Sequence, residues 1–366
     1  MARGAWGGDR TGSRQHGRKA LKSRILLALG VVAAAALIFL IAITRDGERV
    51  VPTGDGVVTL DAGDFEAFRL PEHAATFVTA GYASYFVEVE PGIKVHVLEV
   101  GSGFPLVLLH GNPTSGFLYR KVAAALPTDR VRVIMPTLVG LGFSSKVPAS
   151  EHTLDSHIRW IGGVLGQLRL GEAVYAGQDW GGPIGMGAFA RTPELLKGVV
   201  VLNTLFGDRE GEGDLSQGHR MAARPVVGEL VFEVLLSIFR NLPRTQGDPD
   251  SLPVEVLELY ARPVEESGND KAPLAMMRMV PNGPDHPSMP AMTAIGQYVQ
   301  GLDIPAEIVW GKHDPILGGQ LPAMRRSFPN ARVTETEGGH FLQEEVPDEI
   351  AAALMRVVDR VRETGG

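Results

Sequence analysis

The chain has 366 residues, of which 44% are hydrophobic and 21% charged, and this length allows one large domain or two smaller ones. It carries a net charge of −7 and contains no cysteine, which excludes disulfides, thiolate catalysis and cysteine-bound metal centres. Residues 45–366 hold 28 basic and 41 acidic side chains, and such an acidic body does not favour nucleic-acid binding.

The first predicted element is a membrane-spanning helix. Residues 25–44 contain no charged side chain and have about the length that crosses a bilayer. Residues 1–24 are a basic segment with seven Lys or Arg, so the positive-inside rule places the N-terminus in the cytoplasm and the body on the extracytoplasmic side. We predict a single-pass anchor, with a cleaved signal peptide as the alternative. Residues 45–75, which have little apolar periodicity, are predicted to be a linker.

From about residue 76, short apolar runs alternate with helical patterns. The runs with strand character are residues 94–100, 105–111, 131–136, 173–177, 197–203, 306–311 and 331–336. Residues 153–170 have a helical pattern that begins at Thr153, and residues 347–361 form an amphipathic pattern with acids first and arginine late. This alternation predicts an α/β fold in which helices flank a mostly parallel sheet on both faces.

Residues 207–293 interrupt the alternation. They contain no strand-like run, and residues 230–242 and 253–263 have helical patterns. We therefore predict a helical cap inserted between two parts of the sheet domain, residues 76–206 and 294–366. Six of the eleven methionines fall in this cap, where thioethers either fill gaps in a core or line an adaptable apolar pocket.

The first candidate for a catalytic site is the sequence Ala-Gly-Gln-Asp-Trp-Gly-Gly at residues 176–182. It follows a predicted buried strand, and its small residues permit the sharp strand-to-helix turn known as a nucleophile elbow. The central residue is Asp179, and a carboxylate that attacks a saturated carbon gives an alkyl ester on the enzyme. The alternative is a turn aspartate that caps the following helix.

Further candidates also follow predicted strands. Asn112 and Trp180 can donate backbone N–H groups to an oxyanion and side-chain N–H groups to a departing anion. His340 is a natural base near neutral pH, and Asp314 can orient its imidazole. Each of these residues, taken alone, could equally have a purely structural role. Because parallel strands share their carboxyl-end edge, the order Asp179, Asp314, His340 predicts one site there. We predict no metal and no cofactor, because the histidines lack metal-ligand spacing.

These motifs resemble those of the α/β-hydrolase superfamily and, within it, the haloalkane dehalogenases. The resemblance covers about residues 76–364. Its most specific stretches are HGNPTSGFLYR at 110–120 and GQDWGG at 177–182. The stretches WGKHDPI at 310–316 and GGHFLQEE at 338–345 are shared more widely.

The resemblance implies hydrolytic dehalogenation of a small apolar haloalkane, with water, through an aspartyl-alkyl ester and without a cofactor. It implies that Asp179 is the nucleophile, His340 the base and Asp314 the acid that orients the base. It also implies that Trp180 and Asn112 bind the halide. Some members of the family place the acid after the preceding sheet strand. That position here is near Asn203, which is an amide, so Asp314 takes the role.

Two other functions stay open at this point. Epoxide hydrolases share the fold and the aspartate nucleophile but use two cap tyrosines as acids. Tyr260 matches one of them, and residues 205–259 contain no tyrosine for the other. The second alternative is a membrane-tethered protein that keeps the pocket and binds a ligand without turnover.

Overall fold

A computed structural model describes residues 11–207 and 215–365 of the chain. Residues 1–10 of the predicted basic segment and residues 208–214 of the predicted cap lie outside the described residues. The chain divides into two compact units, Met1–Arg45 and Asp46–Gly366.

The N-terminal unit contains one long helix, α1 (Thr11–Ile43). Its stretch Arg24–Ile43 is apolar, has 20 residues and buries none of them within the protein. A helix in the core of a globular domain would be mostly buried, so this stretch is no core helix. Its length and composition fit a membrane span or a signal sequence.

Within the described residues of the second unit, ten strands form one sheet in the order β1-β2-β3-β4-β6-β5-β7-β8-β9-β10. Strands β5 to β10 run parallel to one another, and β1 to β4 are antiparallel at one edge. This confirms the predicted α/β architecture. The strands are β1 (Gly56–Leu60), β2 (Gly63–Ala67), β3 (Ala83–Glu90), β4 (Ile93–Gly101), β5 (Phe104–Leu109), β6 (Val131–Pro136), β7 (Ala173–Gln178), β8 (Leu196–Leu202), β9 (Ala306–Gly311) and β10 (Arg332–Thr336).

The helices after α1 divide between the predicted sheet domain and the predicted cap; those between Gln217 and Arg278 lie within cap residues 207–293, and the helix Met289–Gln300 crosses the end of that range. Thr153 accepts a hydrogen bond from the backbone N–H of Ser156, so the predicted start of the fourth helix is confirmed. In chain order the helices are α2 (Glu72–Ala75), α3 (Arg120–Ala125), α4 (Leu154–Gln167), α5 (Gly181–Phe189), α6 (Gln217–Ala222), α7 (Val227–Glu229), α8 (Val254–Glu265), α9 (Ala272–Arg278), α10 (Met289–Gln300), α11 (Leu321–Ser327) and α12 (Pro347–Gly365).

Helices cover both faces of the parallel strands. Tyr175 and Val199 are register partners on β7 and β8, and Tyr175 lies against Gly185 of α5. Successive strand residues point to opposite faces, so Gly198 faces the other way, and there it meets Val357 of α12. Helices α5 and α12 therefore sandwich the sheet and fix the strand ends between them.

The predicted linker at residues 45–75 is wrong for much of its length. Strand β1 pairs with β2, and β2 pairs with β3, so the segment extends the sheet at its antiparallel edge. Before these strands, Val50 forms a β-bridge with Lys146, and Asp46 accepts a hydrogen bond from the backbone N–H of Ser150 at 2.8 Å. The body thus begins at Asp46 rather than at about residue 76.

The cap is helical in its described residues, as predicted, but residues 230–242 do not form one helix. A π-helical turn covers Leu230–Leu235, and the chain becomes extended at Leu236. A 3₁₀ segment, Phe239–Thr245, follows and contains Pro243, which cannot donate a helical hydrogen bond. The apolar periodicity of this stretch therefore marks a broken helix.

Candidate active site

Asp179 lies at the sharp turn between β7 and α5, where its φ of +51° is a strained left-handed value for a residue with a side chain. The small neighbours are needed for close packing. A Cβ on Gly177 would lie 2.8 Å from the backbone of Gly182, and one on Gly181 would overlap the carbonyl oxygen of Leu109. The turn therefore presents the carboxylate at the carboxyl edge of the sheet.

The two carboxylate oxygens of Asp179 have different surroundings. Oδ1 accepts a hydrogen bond from the backbone N–H of Asn112 at 2.9 Å, and Oδ2 lies 3.7 Å from Nε2 of His340. Burial raises the pKa of Asp179, while His340 and the backbone N–H groups of Trp180 and Asn112 act in the opposite direction. The side chain is 17% exposed, so one oxygen is held by backbone donors while the carboxylate stays accessible.

His340 and Asp314 form a buried pair in the loops after β10 and β9, which are neighbouring strands. Nδ1 of His340 donates to Oδ2 of Asp314 at 2.9 Å, because an ionised carboxylate only accepts. Burial lowers the pKa of His340, but the charge and hydrogen bond of Asp314 outweigh it and the net shift is upward. Burial raises the pKa of Asp314, and His340 with the surrounding donors brings it below its ordinary value. The pair thus favours an imidazolium next to a carboxylate.

Two amide side chains support this pair and were not among the predicted site residues. Asn203 donates to Oδ2 of Asp314 at 2.8 Å and to the carbonyl of Gly311 at 3.0 Å, and accepts from the Gly311 N–H at 2.8 Å. Gln178 donates to the carbonyl of His340 at 3.0 Å. The signal for Asn203 is its place directly after β8, which lies between β7 and β9.

Both predicted halide donors make hydrogen bonds to the cap. Nε1 of Trp180 donates to the carbonyl of Met276 at 3.1 Å, and Nδ2 of Asn112 donates to the carbonyl of Pro273 at 3.0 Å. Both acceptors belong to α9. The structure brings the two residues to Asp179, but their side-chain donors are engaged by α9 rather than directed at one open point. An anion that binds both donors has to replace these two hydrogen bonds.

Two cavities of about 370 and 350 Å³ meet at Asp179 and share four lining residues, which are Asp179, Trp180, His219 and Ile316. The larger one continues between cap residues Val280 and Met289, and the smaller one reaches His340 and continues along Phe232 and Leu236. Their walls are mainly apolar side chains. Such a cavity accepts a small apolar molecule above the carboxylate.

The cap methionines fill both of the predicted roles. Met276 and Met279 are buried in the core. Met277, Met289 and Met292 line the cavities next to Asp179, where their unbranched side chains can repack around different ligands.

Tyr260, the cap tyrosine considered for protonating an epoxide, is not part of the site. It is fully buried, and its hydroxyl donates to Glu344 at 2.7 Å. Arg120 donates to the other oxygen of the same carboxylate at 2.9 Å. Tyr260 lines neither cavity, so it connects the cap to the core rather than facing a substrate.

The sheet, the strand-to-helix turn at Asp179 and the order of the candidate residues define an α/β hydrolase. A family model described as alpha/beta hydrolase fold matches residues 105–225. Proteins of that class have many different activities, so the family has to be identified from the most similar known proteins.

A haloalkane dehalogenase of Psychrobacter cryohalolentis is 30% identical over 274 residues, covering 73% of this chain and 88% of the relative. Haloalkane dehalogenase 2 of Mycobacterium tuberculosis is 29% identical over 269 residues, covering 72% of this chain and 90% of the relative. Among solved structures, haloalkane dehalogenase DatA from Agrobacterium tumefaciens C58 has a TM-score of 0.70 at 28% identity and covers 80% of this chain and 100% of its own. The chain belongs to the haloalkane dehalogenase family, which confirms the resemblance seen in its motifs.

Proposed function

We propose that this protein hydrolyses haloalkanes to an alcohol and a halide through a covalent ester on Asp179. The observation that carries the proposal is the asymmetry of the Asp179 carboxylate. Oδ1 is bound by the backbone N–H of Asn112, while Oδ2 lies 3.7 Å from Nε2 of His340 in a mainly apolar cavity. The activity named for the relatives supports the substrate class.

In the first step, Oδ2 of Asp179 attacks the halogen-bearing carbon in line. The carbon–halogen bond breaks, and the halide leaves with the bonding electrons. Trp180 and Asn112 bind this halide through Nε1 and Nδ2 after exchanging their carbonyl partners on α9. These donors act on charge that develops only as the bond breaks, so they stabilise the transition state more than the neutral substrate.

In the second step, Nε2 of His340 accepts a proton from water, whose oxygen attacks the carbonyl carbon of the ester. The negative charge passes to Oδ1, where the backbone N–H groups of Asn112 and Trp180 hold it. Collapse of this intermediate releases the alcohol and restores the carboxylate of Asp179. Asp314 stabilises the imidazolium until the proton leaves to solvent.

The full chain offered a panel of bromoalkanes, chloroalkanes and epoxides tests the reaction class. We expect halide and alcohol in equal amounts, measured by ion chromatography and gas chromatography. Diol formed from epoxides without halide from any haloalkane would support the epoxide hydrolase alternative. Binding of these compounds without any product would support a non-catalytic binding protein.

The variant His340→Gln separates the two steps, because it removes only the activation of water. We expect about one halide per enzyme and a mass increase equal to the alkyl group on the peptide that contains Asp179. The matched control is His313→Gln, an exposed histidine in the neighbouring loop, which should turn over normally. Repeated turnover by His340→Gln would contradict the assignment of the base.

We infer further that α1 is a retained single-pass anchor, with residues 1–24 cytoplasmic and the catalytic unit extracytoplasmic. The apolar stretch Arg24–Ile43, which buries none of its residues, and the basic residues before it support this topology. Mass spectrometry of the purified protein should find residues 1–44 present. Protease added to intact spheroplasts should digest the body but spare the N-terminus, and a mature chain lacking residues 1–44 would contradict the anchor.

A further inference from the structure

The outer rim of the cap, residues 226–236, exposes an unusual run of apolar side chains. Six of them are between 37% and 65% exposed, and they are Val226, Val227, Leu230, Val234, Leu235 and Leu236. Val226, Leu230 and Val234 recur every four residues, from the residue before α7 through the π-helical turn, and Val227 and Leu235 are next to them, so these five share the outward face. A contiguous exposed apolar surface of this kind indicates a partner.

The charged residues of this rim point inward. Glu229 forms a two-pronged ion pair with Arg278 at 2.8 and 2.9 Å, and Glu233 is paired with Lys271. A surface helix in water normally has the opposite arrangement, with its charges outside and its apolar side chains inside. The outer face of the rim is therefore suited to contact an apolar environment rather than water.

The exposed charges within residues 215–244, the stretch of chain that contains the rim, have one sign. Within residues 215–244, all of which the structure describes, the acids are only Glu229 and Glu233, and both are paired inward. The exposed charged residues of this stretch are four arginines, Arg220, Arg224, Arg240 and Arg244. In a body with a net negative charge, this stretch of chain is locally cationic, and two exposed acids from the following segment, Glu265 and Asp270, border it. Apolar side chains flanked by arginines match the headgroup layer of an anionic bilayer.

The start of the body lies close to the rim. Asn269 donates to the carbonyl of Glu48 at 2.6 Å, and Lys271, two residues further on, pairs with Glu233 of the rim. The apolar stretch ends at Ile43, and the three residues from there to Asp46 span at most about 10 Å. If the stretch crosses a membrane, as proposed above, this side of the body stays next to the bilayer surface.

The rim also borders the active site. Phe232 and Leu236 line the cavity of about 350 Å³ that reaches Asp179 and His340. We propose that residues 226–236 insert into the interfacial layer of an anionic bilayer, and that apolar substrates enter this cavity from the membrane rather than from water. The inference rests on the proposed anchor and identifies the substrates as halogenated compounds that partition into lipid.

The absence of cysteine allows a clean test with the full chain in vesicles of phosphatidylglycerol and phosphatidylcholine. Leu235→Cys places one thiol on the rim for an environment-sensitive nitrobenzoxadiazole label. Glu172→Cys is the control, because this exposed residue precedes β7 and so lies at the end of the sheet opposite Asp179. We expect the label at position 235, but not at 172, to emit at shorter wavelength and to be quenched by spin-labelled lipids.

Other outcomes would overturn the proposal. Co-flotation of the protein with vesicles while the label at position 235 stays unquenched would show an anchored body with the rim in water. A blue shift that depends on protein concentration and is insensitive to lipid quenchers would show that a second copy covers the rim. Failure to co-float would contradict the anchor itself. None of these readouts depends on dehalogenation, so they remain distinguishable from failure of the proposed reaction.

Entry from the membrane is tested by Leu235→Glu, because Leu235 is not among the residues that line the cavities. In vesicles we expect the KM for 1-bromododecane to rise about tenfold, the equivalent of losing one buried leucine side chain, with kcat unchanged. The KM for water-soluble 2-bromoethanol should stay the same. Equal KM values for wild type and variant with both substrates would contradict entry through the rim.

Discussion

The core loops and the cap hold their polar groups around the active site in different ways. In the core, Oδ1 of Asp314 accepts from the backbone N–H groups of Ile316 and Leu317, and Oδ2 is bonded by Asn203 and His340. The cap contributes backbone carbonyls of α9 that engage the two predicted halide donors. In the proposed mechanism, the charges of Asp314 and His340 are therefore held before substrate arrives, whereas the two halide donors become available only when their hydrogen bonds to the cap are exchanged.

The cap also differs from the core in how far its apolar side chains are exposed to solvent. The parallel strands β7 and β9 are buried along their whole length, while the cap rim leaves valines and leucines exposed. A fully buried sheet holds catalytic side chains precisely, and a partly exposed apolar cap suits the admission of an apolar substrate. The following variants compare the two regions, beginning with the largest expected effect.

Asp179→Asn removes the nucleophile from the core and leaves the shape and the hydrogen bond from Asn112 nearly intact. We expect no first-turnover halide and a rate at least about 10⁴-fold lower, because a neutral amide does not displace halide. Rapid-quench halide measurement checks this. Asp155→Asn, on the first turn of α4, serves as the control and should be fully active. A remaining burst of halide in the first turnover would contradict Asp179 as the nucleophile.

Asp314→Asn tests the fixed charge next to the base, with an expected loss of about 10³- to 10⁴-fold in kcat. Asp314 raises the pKa of His340, so the active neutral imidazole is lost as pH falls through a value above the ordinary 6.5. Without that charge, burial lowers the pKa of His340 and only the weaker effect of Asp179 opposes it. The acidic limb of the pH–rate profile should therefore move to lower pH, and an unchanged limb would contradict His340 as the titrating base.

Trp180→Phe tests a hydrogen bond between the core and the cap, because it removes the indole N–H that donates to α9. We expect about a 10²-fold loss in the rate of halide formation and weaker halide inhibition, since one donor to the developing charge is missing. Trp310→Phe is the matched control, because the Trp310 indole also donates to a backbone carbonyl, that of Gly318, but lines neither cavity. Equal effects of the two substitutions would show that Trp180 acts only through structure.

Tyr260→Phe has the smallest expected effect and concerns only the attachment of the cap. Losing the hydroxyl bonded to Glu344 should lower the free energy of unfolding by about 1.5–3 kcal/mol, with kcat unchanged. Thermal unfolding and halide release measure the two quantities. Tyr298→Phe is the control, because the described residues offer its buried hydroxyl no hydrogen-bond partner. A selective loss of epoxide turnover in Tyr260→Phe would restore the acid role for this tyrosine.

The sequence by itself determined the parallel strands, the interrupting cap and the turn around Asp179. Each of these depends on local pattern, because apolar runs mark buried strands and small residues mark a tight turn within six positions. The same local information failed at residues 45–75. Strands β1 and β2 have only five residues each and are largely exposed, so only the pairing of β1 with β2 and of β2 with β3 shows that they belong to the sheet.

Tertiary structure alone decided how the candidate residues are held. Asn203 meets Asp314 across 111 residues, Trp180 meets Met276 across 96, and Tyr260 meets Glu344 across 84. No periodicity encodes such contacts, because they arise when loops from different strands and a separate cap are brought to one edge of the sheet. The chain pattern thus predicts which chemical groups reach that edge, and the packing of the cap on the core decides which hydrogen bonds they make there.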